Sequence, residues 1–313
     1  MSRYLRGLLA FLATALLTTA AVVVGWQLTG DDDDPEGLIE TITATPGPFT
    51  PTATSTPSPT ATPSPTPTPV VIDAESALAA ARSEIEAALA GIPGEFGLAV
   101  IDLPSGAEMG INQGQPFYPA SAGKIIVAIA VLRQVQAGLI EFEPFQDRFE
   151  QMILVSSDEA ADEMDLLVSE TETRQVLQDA GASEVSSFPS WRQGFVAARD
   201  LALVWKGLVE GGLLDGERTQ YLVGLTSRYE MDPTFETFPV RLGRDGYLYG
   251  QKAGYNIQSF PHTFVGAGYT VAVDLRYGFV AAFILHTEQS VVDSHEQRTT
   301  VYPIIARHLL PPD

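Results

Sequence analysis

The chain has 313 residues, no cysteine, and 39 Asp plus Glu against 18 Lys plus Arg, for a net charge of −21. Such a polyanion repels nucleic acid, and the missing cysteines exclude disulfides, thiolate catalysis and cysteine-based zinc sites. A hydrophobic fraction of 45% excludes a wholly disordered chain.

Gly7 to Leu28 is an almost uninterrupted apolar run behind Arg3 and Arg6. As a helix it would reach about 33 Å, enough for a bilayer core, and the basic flank keeps the N-terminus cytoplasmic. Residues 1–30 are therefore expected to form a single-pass anchor in the cell membrane, leaving the rest extracytoplasmic. Thr19-Ala20-Ala21 loosely fits a signal-peptide cleavage site, and cleavage there would make the protein secreted. From Asp31 to Pro69 the chain is acidic and then rich in Pro, Thr, Ser and Ala. Such a composition buries no core, so residues 31–70 read as a disordered linker extended in polyproline II. The run Asp31 to Asp34 lacks the glycine and closing glutamate of a calcium loop and reads as solvated charge.

Residues 71–313 are expected to be one domain. Asp73 to Ile92 has helical periodicity without a breaker. Phe96 to Leu103 and Ala107 to Asn112 alternate around Pro104-Ser105-Gly106, which predicts a hairpin. A long apolar helix is predicted from Ser121 to Ala137, then shorter helices to about Gly224. Strands follow over Gly246 to Gly254, Thr263 to Asp274 and Gly278 to His286, and a last helix over Val292 to Leu309. This order predicts an α+β fold, with an antiparallel sheet built from both ends of the chain and flanked by N- and C-terminal helices.

The chemistry centres on Ser121-Ala122-Gly123-Lys124. Residues i and i+3 share a helix face, so Lys124 can reach the Ser121 hydroxyl, and the helix dipole favours negative charge on that serine. The run Ile125 to Leu132 is apolar on every side, which predicts a buried helix and a partly desolvated Lys124 with a lowered pKa, suited to act as a base. A serine cap followed by a snorkelling lysine would give the same pattern. Gly123-Lys124 is not a phosphate loop, because Tyr118 stands at the early glycine and Ile125 at the Ser or Thr.

Two further segments, Ser156-Ser157-Asp158-Glu159 before a helix and Lys252-Ala253-Gly254 on a strand, complete an ordered set. Together the three resemble the S-x-x-K, S-D-N and K-T-G motifs of penicillin-recognising serine enzymes, the family of class A β-lactamases and D,D-peptidases. The resemblance covers nearly everything from Asp73 to Leu310. It implies a β-lactamase/transpeptidase-like fold with a trimmed helical subdomain, acting through an acyl-enzyme on β-lactams or related peptidoglycan-derived small molecules. By position it makes Ser121 the nucleophile, Lys124 its base, Ser157 a proton shuttle and Lys252 the holder of a substrate carboxylate. It puts the oxyanion hole at the backbone N–H groups of Ser121 and Tyr255, with Glu159, Ala253, Gly254 and Tyr255 bordering the substrate. No cofactor or metal is implied, and a monomer is expected.

The departures are specific. Glu159 stands at the Asn position, an acceptor-only carboxylate in place of an amide; Ser156 and Glu159 also fit a helix capping box. Ala253 replaces a threonine. The E-x-x-L-N segment that supplies the deacylating Glu of class A enzymes has no counterpart, since only Glu184 stands in that region. These departures keep open a second reading, a non-catalytic surface module that binds peptidoglycan or a protein. A Ser-His-Asp triad built on His262, His286, His295 or His308 lacks a G-x-S-x-G elbow, and no H-E-x-x-H is present.

Overall fold

In the first strand Leu98 and Val100 face one way and Ala99 and Ile101 the other, and all four are buried. Side chains alternate along a strand, so this strand must be covered on both faces. The computed structural model, which describes residues 70–229 and 245–312, shows how. The Gly7–Leu28 run and the linker up to Pro69 lie outside the described residues. Among the described residues no helix is long and apolar enough to cross a membrane.

Strand β1 (Glu95–Asp102) pairs with β2 (Glu108–Ile111) across the predicted turn, where Gly106 takes φ +75°. Strands β5 (Tyr247–Asn256), β6 (His262–Ala272) and β7 (Gly278–Thr287) come from the far end of the chain. The sheet order is β2-β1-β7-β6-β5, antiparallel throughout, which joins the two ends of the chain as expected. A short ribbon pairs β3 (Pro116–Phe117) with β4 (Val196–Ala197).

One face of the sheet carries helix α1 (Ala74–Ala88), whose Leu78, Ala81 and Ile85 meet Val301, Ile305 and Leu309 of the last helix and Leu98, Phe264 and Phe283 of the sheet. Glu84 on the solvent side bonds Arg307 and His308. On the other face lie α2 (Lys124–Gln136), α3 (Gln146–Leu154), α4 (Asp158–Asp165), α5 (Glu170–Asp179), α6 (Ala198–Val209) and α7 (Gly216–Ser227), followed in the chain by the sheet-covering α8 (His295–Leu309). Every residue from Lys124 to Leu132 is buried, because α2 is packed around by α3, α4, α5 and α7. Each fully buried aliphatic side chain of this run contributes roughly 1.5–3 kcal/mol relative to exposure.

The predicted helix over Ser121 to Ala137 begins late. Pro119 and Ala120, the latter at φ +47°, bring the chain in through a 3₁₀ turn, Ala120–Gly123, so Ser121 sits on a tight turn and Lys124 opens the α-helix. The last helix likewise starts at His295 rather than Val292.

Candidate active site

The Ser121 turn, the loop entering α4 and the end of edge strand β5 border one cleft of about 350 Å³. Ser121 and Ala120 come from the turn, Ser156 and Asp158 from the loop, and Ala253, Gly254 and Tyr255 from the strand. Trp191 and Arg192 form a further wall, and Tyr118 and Tyr229 also line the cleft.

Strand and turn touch because residue 254 has no side chain. A Cβ there would lie 2.5 Å from the Ser121 nitrogen and 2.6 Å from the Ala122 nitrogen, both backbone atoms that cannot swing aside. Gly254→Ala is therefore expected to push β5 off the turn and lower stability by roughly 1–3 kcal/mol, the usual cost of overpacking. A urea midpoint unchanged by this substitution would show that the close approach is not required.

Four non-glycine residues among those described have positive φ, and two of them, Ala120 and Ser156 (φ +59°), border this cleft. Such conformations cost about 1–3 kcal/mol each and persist only where the surroundings impose them. At Ser156 the imposing element is α4. Ser157 caps that helix, its hydroxyl accepting from Ala160 N at 3.1 Å and donating to Glu159 at 3.2 Å. The Ser157 hydroxyl is thus spent on the helix end, while Ser156 lines the cleft. Glu159 is exposed outside the cleft lining, and the carboxylate that does face the cleft is Asp158. The capping box read at Ser156 and Glu159 accordingly does not form there; one forms instead at Ser169 and Glu172.

Lys124 is fully buried, and its ammonium donates to Ser156 O at 2.8 Å, Ser157 O at 3.3 Å and Asp158 Oδ1 at 2.6 Å. Burial pushes its pKa below the ordinary lysine range, while the hydrogen bond and charge of Asp158 pull it back up. The Trp191 ring lies 4.4 Å from Nζ, a cation–π contact, and Arg192 lies 4.2 Å over the same ring. Asp162 holds this wall by accepting from Trp191 Nε1 at 2.9 Å and from two nitrogens of Arg192 at 2.8 Å.

Lys252 is also fully buried and does not line the cleft. Its ammonium has no hydrogen-bond partner among the described residues and sits 4.1 Å over the Tyr229 ring. Burial first, and the Lys124 charge second, hold its pKa well below the lysine range. The carboxylate-holding position implied by the resemblance is therefore buried, with Tyr229 over its ammonium. Of the two acidic candidates for water activation, Glu159 does not line the cleft and Glu184 lines a separate groove beside Glu170 and Arg174.

Trp191, Arg192, Tyr118 and Tyr229 escaped the sequence reading, since a lone aromatic carries no spacing signal. Ser156 and Asp158 were legible in principle. Ser and Asp are both helix N-cap residues, so a cap at Ser157 allows S-D-N to be laid on Ser156-Ser157-Asp158, one residue earlier than Ser157-Asp158-Glu159, with Asp158 then opposite the Asn.

Residues 80–143, which include Ser121 and Lys124, match the family model of the β-lactamase enzyme family. Among solved structures, the β-lactamase from Sphaerobacter thermophilus DSM 20745 is 18% identical at a TM-score of 0.62, covering 75% of this chain and 99% of that one. TLA-1 extended-spectrum β-lactamase is 12% identical at a TM-score of 0.65, covering 75% and 100%. A β-lactamase from Chitinophaga pinensis DSM 2588 is 16% identical at 0.60, covering 72% and 97%. At such identities the likeness is one of fold. No curated protein matches the chain.

Proposed function

We propose, for a chain with the β-lactamase fold and a match to that family across Ser121 and Lys124, that the cleft performs serine acyl transfer on β-lactams or related cell-wall peptides. The observation that carries this reading is the meeting of the Ser121 turn, the Ser156–Asp158 loop and the Gly254–Tyr255 strand end in one cleft beside a buried lysine. Ser121 supplies the nucleophile and Lys124, once neutral, takes its proton. Ser156, rather than Ser157, is the cleft hydroxyl placed to pass a proton to the leaving nitrogen. The N–H groups of Ser121 and Tyr255 face the developing oxyanion.

Release of the acyl group requires a water made nucleophilic by a base. The one carboxylate among the described cleft-lining residues is Asp158, and Lys124 already occupies it. The expected outcome is an acyl-enzyme that forms and then leaves slowly. Incubation with a penicillin followed by intact-mass measurement tests this: one added penicillin that persists over many minutes is expected. Fast turnover with no accumulated adduct would show that another group activates water. A second reading, a binding module that keeps the fold without chemistry, is favoured by the closure of Tyr229 over Lys252. A folded protein that gains no mass from any penicillin would establish it.

A further inference from the structure

Only three lysines occur in the whole chain, and two of them, Lys124 and Lys252, are fully buried at this site. Such placement makes their protonation a matter of which charges face them. From α4, Asp158 lies in contact with Lys124 and Asp162 acts on it through space, and from the Trp191–Arg192 side Arg192 acts on it; Lys252 on β5 faces it too, but its own pKa is held well below the lysine range partly by the Lys124 charge. Asp162 is already matched by Arg192 in a two-bonded pair. The anion left to hold the Lys124 proton is Asp158, which sits where the S-D-N pattern has a neutral amide.

Resting on the proposed roles of Ser121 and Lys124, we infer that Asp158 is a positioning residue that holds Lys124 as an ammonium on the α4 loop, so that acylation of Ser121 waits for that proton to leave. The geometry is direct. All three donors of the ammonium point at acceptors of the Ser156–Asp158 loop, and among the described residues no hydrogen bond joins Nζ to the Ser121 hydroxyl. When Ser121 Oγ bonds to the acyl carbon, its proton must pass to a neutral Nζ. From there it reaches the nitrogen as the C–N bond breaks. An ammonium has no lone pair to accept it, so one proton must first go to solvent. Asp158, half-exposed at the cleft, makes that loss harder by keeping a negative charge 2.6 Å from Nζ.

Removing this charge leaves desolvation and the Arg192 cation to drive the proton off, so Lys124 becomes neutral at lower pH. Below the midpoint of the pH–rate profile, each unit of downward shift raises the neutral fraction about tenfold, and loss of a contacting opposite charge is worth about 1–3 units.

The test measures the rate of benzylpenicillin addition by intact mass from mildly acidic to alkaline pH, in the full chain and in Asp158→Asn and Asp158→Ala. In parallel, the pH titration of the lysine ε-carbons is followed by NMR, where three lysines give three resolvable signals. The inference expects the midpoint of the rate profile and the Lys124 titration to move down together in both variants, with labelling at least about tenfold faster below the original midpoint. A gain in Asp158→Asn alone, without a shift in midpoint, would assign residue 158 to substrate contact and overturn the inference. Unmoved Lys124 titration would overturn it as well. Should no chain acquire penicillin at any pH, the acyl-transfer reading fails, and the lysine titration still decides whether Asp158 holds the proton.

Discussion

Ser121→Ala is expected to abolish penicillin labelling, and Lys124→Ala to slow it by the ~10²–10⁴ typical of a lost positioned base. The size of the second effect follows from where Lys124 sits. It opens a helix buried on all sides, three residues after Ser121, and its ammonium is bonded to the α4 loop and lies over the Trp191 ring. Neither of the other two lysines can substitute, because Lys252 is sealed under Tyr229 and Lys206 pairs with Glu210 on α6. Truncation to alanine also opens a cavity in a close-packed region, so lost labelling alone could reflect a loosened fold. Lys124→Met separates the two causes. It fills the space and removes the charge, although Asp158 and the Ser156 and Ser157 carbonyls lose their donor, so some stability is lost. The expected result is a protein that still unfolds cooperatively, at a lower melting temperature than the parent, with labelling slowed to the same degree. Normal labelling in a folded Lys124→Met protein would remove Lys124 from the reaction.

Lys252→Met is expected to stabilise the protein at neutral pH and to flatten part of its pH dependence. The buried amine has a pKa well below that of an unfolded lysine, chiefly through desolvation. Between the folded value and about 10.4 the unfolded chain binds one more proton than the native one. Stability of the parent therefore rises with pH across that window, with a slope of up to about 1.4 kcal/mol per unit, and sits at its lowest below it. Methionine carries no such proton. The gain of the variant should be largest at neutral pH and shrink toward alkaline pH, as read from denaturant midpoints over that range. A variant that is destabilised equally at neutral and alkaline pH would show that the Lys252 amine is satisfied in the native protein and that the Tyr229 contact holds it as a cation.

The architecture was legible because its signals are periodic. The all-apolar run after Lys124 requires a helix buried on every side, and the alternating pair around Pro104-Ser105-Gly106 requires a hairpin; both are found. The antiparallel sheet joining chain ends followed from element order. At the site, Ser121 and Lys124 were marked by their spacing and Gly254 and Tyr255 by the family resemblance, and Ser121, Gly254 and Tyr255 border one cleft. Ser157 and Glu159 were marked by the resemblance alone and do not line the cleft, because two adjacent serines allow two registers and only one of them caps α4. Lys252 lies on the expected strand, but whether a lysine opens to a cleft depends on what covers it. That cover is Tyr229, distant in sequence and without a motif of its own. The wall of Trp191 and Arg192 was invisible for the same reason: its partner, Asp162, is set by tertiary packing rather than by local pattern.

The central claim is that Ser121 is an acylable nucleophile, and the site of covalent attachment tests it most directly. After exposure to a penicillin, tryptic digestion and tandem mass spectrometry should place the added mass on Ser121, within the fragment that ends at Lys124, or in one extended to Arg133 if the adduct blocks cleavage there. Attachment to Lys206 would be ordinary aminolysis of a reactive ring by a surface amine. That result, or no attachment in a folded protein, would contradict the account.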